Sequence, residues 1–243
     1  MKSWFAVLGL LVAVFAPAAD KATKVGEASQ TAKASPPEKG FTTTEVHVGK
    51  TTFKLPVPKA FVVVGRDEEW SKVFHARLEN LAQDPRKGVS FVFTSLTPEH
   101  LAHCREVKLL DTGLDCWGTV QNQTADREVD QAAYAKIAAA VTAEFAKNGF
   151  DGIRQSIRRD IKDEEFNRIL GGLGDPMIVD RNERSLQFIM PSGPKLILGA
   201  YVHVEGTLFN IYLQAPKAEA REMMVMMDDW IAEIIKTTKA TRK

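Results

Sequence analysis

The chain has 243 residues, 44% of them hydrophobic, and its 32 basic and 31 acidic side chains leave a formal charge of +1. A surface balanced in this way offers no electrostatic argument for binding nucleic acid or anionic lipid. The length suffices for one domain with a substantial core, and the hydrophobic fraction is ordinary for a soluble globular protein.

Lys2 gives a short positive start, Trp4 to Phe15 is apolar, and Ala16-Pro17-Ala18-Ala19 supplies small residues for cleavage. That is the layout of a secretory signal peptide over residues 1–19, which places the mature chain in the periplasm or outside the cell. The apolar run is shorter than the roughly 20 residues a spanning helix needs, so an uncleaved anchor is the competing reading. No Cys stands near the cleavage site, so no lipid-modified N-terminus is expected, and no later segment is apolar enough to cross a membrane. Loss of the leader removes Lys2 and leaves 31 basic against 31 acidic residues. Residues 20–40 are rich in Lys, Ala, Ser, Thr, Glu and Pro and lack any aromatic side chain. Such a segment buries too little surface to offset its ordering entropy and reads as a flexible tail. A single domain is expected over residues 41–238.

The ordered part opens with a hairpin. A turn at Gly49-Lys50 sets Val46 opposite Phe53, Val48 opposite Thr51 and Thr44 opposite Leu55, with Glu45–Lys54 and His47–Thr52 on the other face. Gly at the first turn position suits a type II′ turn. Pro56 and Pro58 are expected to end the ladder, because proline has no N–H to donate. A short extended piece is expected at Ala60 to Val64. A loose helix follows over Glu68 to Leu81, with Trp70, Val73, Phe74 and Leu78 at helix-like steps. Gly88 to Leu96 reads as a strand with Val89, Phe91 and Phe93 on one face. Thr97-Pro98-Glu99 starts a short helix reaching about Glu106, an N-cap hydroxyl followed by proline at the first position. Cys116 to Asn122 is a further strand.

Asp130 to Lys147 is the clearest helix of the middle region: Tyr134, Ile137, Ala138, Val141 and Phe145 fall on one face, and Gly149 stands where a C-terminal cap is wanted. Helices are also expected over Gly152 to Ile161 and Asp163 to Leu170. Strands at Met177 to Asp180 and Ser185 to Met190 flank a polar turn at Arg181 to Arg184. The chain closes with a long hairpin from Lys195 and a helix. A two-residue turn at Glu205-Gly206 sets Val204 opposite Thr207, Val202 opposite Phe209, Ala200 opposite Ile211 and Leu198 opposite Leu213, all on one apolar face. His203–Leu208, Tyr201–Asn210, Gly199–Tyr212 and Ile197–Gln214 take the other face. A three-residue loop mixes the two sets, so patterning favours the shorter turn even though Glu205 must then take positive φ. Met223, Met224, Met227, Trp230, Ile231 and Ile234 form one stripe at helical spacing, opposite Glu222, Asp229 and Glu233. The fold class is α+β: an antiparallel β-sheet with helices packed against it, sandwich-like in the α-β-α sense.

The hairpin leading into Phe53-Lys54-Leu55-Pro56, the aromatic strand Phe91-Val92-Phe93 and the terminal hairpin and helix around Trp230 resemble the PsbP-like superfamily. Its members are small α-β-α sandwiches, many of them exported or lumenal and mostly non-enzymatic accessory proteins. The resemblance implies a binding or assembly role, with an envelope protein or a small molecule as partner, and carries no catalytic residue.

Chemistry-bearing residues are few. Cys104 and Cys116 form an even pair in an oxidising compartment and read as one disulfide, worth about 3 kcal/mol if unstrained; two separate buried thiols are the alternative. His100, His103 and Cys104 share one turn of helix and are weak candidates for a metal, but no second ligand cluster accompanies them and structural zinc takes four ligands. Tyr201, His203, Asn210 and Tyr212 gather on the less apolar face of the terminal hairpin and are the candidate ligand-binding residues, the competing reading being a face covered by the middle helices. Arg154, Arg158 and Arg159 lie beside Asp160, Asp163, Glu164 and Glu165, which local pairing on a solvated helix explains. Met223 to Met227 contains four methionines, most on the apolar stripe, with Met226 at its edge and expected to be the exposed one. No nucleophile elbow or Cys–His signature is found, and no cofactor is expected. The leading expectation is a non-catalytic exported binding module. The alternatives are an exported hydrolase with His203 or His100 as base and a metal-handling envelope protein.

Overall fold

A computed structural model of the chain describes residues 40–65, 67–68, 70–72, 75–76, 90–108, 117–122, 128–147, 177–193 and 195–242. The predicted leader and most of the predicted tail, the two helices expected between residues 152 and 170, Cys116, and the arginine group at 154–159 lie outside the described residues.

The first hairpin, β1 (Phe41–Val48) and β2 (Thr51–Pro58), has the predicted register, with Val46 opposite Phe53 and Thr44 opposite Leu55. Gly49 has φ of 57°, as the first central position of a type II′ turn requires. The prolines do not end the ladder: Pro56 pairs with Thr43 and Pro58 with Phe41. Backbone polar groups alternate sides along a strand. The Lys59 N–H donates to the Gly40 carbonyl, so Pro56 and Pro58 turn their missing N–H toward the opposite edge. There β10 (Ala240–Arg242) covers only Thr51 to Phe53, so neither proline deprives a neighbouring strand of a donor.

The larger sheet has seven strands: β3 (Val62–Val63), β4 (Ser90–Leu96), β5 (Trp117–Asn122), β6 (Met177–Arg181), β7 (Ser185–Ser192), β8 (Lys195–Val204) and β9 (Thr207–Pro216). Their order is β3-β4-β5-β9-β8-β7-β6, with every neighbouring pair antiparallel. The terminal hairpin keeps the expected register at all positions, and Glu205 and Gly206 have φ of 50° and 71°, the two positive values of a type I′ turn. In β4 the ladder shifts between Phe91, opposite Gln121, and Phe93, opposite Val120. The shift is a β-bulge that interrupts simple alternation along the strand.

Among the described residues the helices seen in full are α1 (Pro98–Val107), α2 (Gln131–Lys147) and α3 (Ala220–Thr237), the last preceded by a 3-10 turn at Lys217–Glu219. Thr97 caps α1 by accepting from the His100 N–H, and Asp130 caps α2 by accepting from the Ala133 N–H at 2.6 Å. The α3 stripe faces inward as expected, with Met223, Met227, Trp230, Ile231 and Ile234 buried. Met226 is not exposed; it is half-buried and packs on the same core.

One core lies between α3, the β1–β2 hairpin and one face of the large sheet. It joins Phe53, Leu55 and Val57 to Leu198, Ala200, Val202, Phe209, Ile211 and Leu213. Phe53 meets Phe209 edge-on at 5.2 Å and 89°, and the Trp230 indole N–H donates to the Pro56 carbonyl at 2.7 Å. The second core lies on the opposite face beneath α2 and holds Tyr134, Ala138, Phe145, Phe188, Tyr201, Leu208 and Tyr212. Both strands of the terminal hairpin are therefore buried on both faces, which their nearly unbroken apolar runs reflect. A third, smaller cluster joins Val64 and Leu96 to Leu101 and Cys104 of α1. The result is an α+β sandwich of the predicted class.

Candidate functional site

The residues singled out from sequence on the terminal hairpin share the α2 face, and the structure divides them by role. His203 belongs to the scaffold. Its Nε2 lies 2.5 Å from the Val129 carbonyl, and because a carbonyl only accepts, Nε2 carries the proton. The Val129 N–H in turn donates to the Gly206 carbonyl at 2.7 Å. Both backbone groups of Val129 are thus tied to the tip of the hairpin, and α2 starts two residues later. The imidazole also stacks on Tyr134 of α2, at 5.4 Å between centroids and 8° between planes. Burial pushes the Tyr134 phenol up to about 12, with Arg181 opposing the shift and Asp180 adding to it. His203 is a clamp holding α2 on the sheet.

Deeper along the same face, Phe188 of β7 leans over Gly199, where an added Cβ would stand 2.2 Å from the ring. Gly199 is the notch that lets Phe188 lie flat enough to approach Tyr201 at 5.7 Å and Tyr212 at 6.2 Å. Phe145 of α2 closes the cluster from above, 5.6 Å from Phe188. Beside this aromatic wall stand Asn210, with 0% exposure, and Tyr212, with 2%. Among the described residues, neither polar atom of the Asn210 amide nor the Tyr212 hydroxyl has a hydrogen-bond partner. Burial, with a smaller contribution from Tyr201, raises the Tyr212 phenol well above its ordinary range, so it is a neutral O–H at any physiological pH.

Register extends the polar row across the sheet. Asn210 is opposite Tyr201 on β8 and Gln121 on β5, while Tyr212 is opposite Gly199 and Thr119. Thr119 in turn faces Thr94 of β4, which is fully buried. Asn210 and Tyr212 are two residues apart on one strand, so their Cα atoms are about 7 Å apart. The arrangement offers two donors and one acceptor from the amide and one of each from the phenol.

The α1 candidates do not converge. His103 is exposed, Cys104 is fully buried with Leu96 and Leu101, and the His100 ring lies 3.0 Å from the Thr97 hydroxyl. Among the described residues, no three His, Cys, Asp or Glu side chains form a group able to hold a metal ion. The predicted partner of Cys104, Cys116, lies outside the described residues. A polar contact the sequence reading missed joins the stretch before α1 to that helix. Glu68 accepts from Arg105 at 2.6 Å and from the Trp70 indole at 2.6 Å, and Arg105 followed by Trp70 holds the carboxyl down at about 2. Glu68 and Arg105 stand 37 positions apart, which left no local signal of the pair.

No helix among the described residues is long and apolar enough to cross a membrane. No protein-family model matches the chain, and no curated protein does. Among solved structures, LpqN of Mycobacterium tuberculosis, described as involved in cell envelope biogenesis, is similar at 16% sequence identity. The match covers 83% of this chain and 91% of that one, with a TM-score of 0.28, a superposition too loose to carry an argument.

Proposed function

We propose that the protein is an exported envelope component whose folded domain binds a small molecule without catalysing a reaction, at the Tyr201, Asn210 and Tyr212 face of the large sheet. The observation that carries this reading is the buried amide and phenol without partners. Leaving a buried polar group unsatisfied costs about 1–3 kcal/mol, and such groups in a folded protein call for a specific explanation. A ligand that completes these hydrogen bonds supplies one. The signal-peptide layout of residues 1–19 supports export, the periplasm or the exterior being the expected compartment. The PsbP-like resemblance points in the same non-catalytic direction.

The hydrolase alternative asks His203 to accept a proton, whereas its Nε2 donates to Val129 and its ring is sandwiched against Tyr134. Native mass spectrometry of the untagged full chain isolated from an envelope extract tests the binding reading. Wild type retaining a stoichiometric adduct that Asn210→Leu loses supports it. Wild type and variant with identical, adduct-free masses contradict it.

A further inference from the structure

We draw no further inference here: the strongest candidate, the outer edge of β1 with its exposed Thr43, Glu45 and His47, pairs with no second strand among the described residues, and nothing in the structure shows what covers it.

Discussion

The two faces of the β8–β9 hairpin are built from the same two strands and are equally buried, yet they solve burial differently. On the α3 face the cross-strand pairs include Val202–Phe209, Ala200–Ile211 and Leu198–Leu213, apolar side chains throughout, and above them the Trp230 indole donates to the Pro56 carbonyl. On the α2 face the pairs are His203–Leu208, Tyr201–Asn210 and Gly199–Tyr212. There a histidine clamps a helix, a glycine makes room for a ring, and an amide and a phenol go without partners. Apolar contacts alone suffice to close a sheet against a helix, so the polar residues of the second face are not demanded by the fold. The comparison separates side chains kept for packing from side chains kept for something else.

The largest effect that can break this contrast is on the apolar face. Trp230→Ala removes a fully buried indole and leaves the Pro56 carbonyl without its donor. It is expected to destabilise the protein by about 3–5 kcal/mol, measured by urea unfolding, and a loss under 1 kcal/mol contradicts the packing described. Next comes Gly199→Ala on the polar face. The new methyl meets the Phe188 ring at 2.2 Å, an overpacking expected to cost about 1–3 kcal/mol. Phe188→Leu in the same chain should recover part of that loss, so a double-mutant cycle over the two sites reads a coupling well away from zero.

The His203 clamp predicts a smaller and more local change. His203→Phe keeps the stacking partner for Tyr134 but removes the donor to Val129. The loss is expected at about 1–2 kcal/mol, with amide exchange accelerated first in the opening turn of α2. The smallest effect lies away from both faces, at Glu68 and Arg105, whose side chains are 28% and 55% exposed, so solvent and salt screen the pair. The folded carboxyl, at about 2, lies below its ordinary 4.5. A depressed acid contributes stability above the unfolded value and loses it as pH falls through the folded one. The stability gap between wild type and Glu68→Gln is therefore expected at pH 6 and should vanish between about 4.5 and about 2; a gap that persists at pH 2 contradicts the pairing.

Much of this contrast was legible in the sequence because it is local. The two-residue turn at Glu205-Gly206 and the period-two pattern of Leu198 to Leu213 determine the register, and the stripe through Trp230 determines which side of α3 turns inward. What escaped the reading depends on distant partners. That the Tyr201–Asn210 face is buried rests on α2, whose anchor Val129 is 74 residues from His203. The prolines of β2 stay in the ladder because their missing N–H faces the edge that β10, ending opposite Phe53, leaves uncovered, and no local feature of the sequence marks that edge as open. The bulge in β4 interrupts the ladder between Phe91 and Phe93, and a one-residue shift has no signature in composition. The face was legible as a set of residues but not as a division between His203, which ties α2 to the hairpin, and Asn210 with Tyr212, whose buried polar atoms lack partners.

Equilibrium urea unfolding of Asn210→Leu, in protein free of ligand, tests that division most directly. If Asn210 is retained for recognition, replacing its unsatisfied amide by an apolar side chain of similar size leaves the domain at least as stable as wild type, with a gain of about 1 kcal/mol expected. A loss of 1 kcal/mol or more would mean that the amide supports the fold, and the account of the polar face would fail.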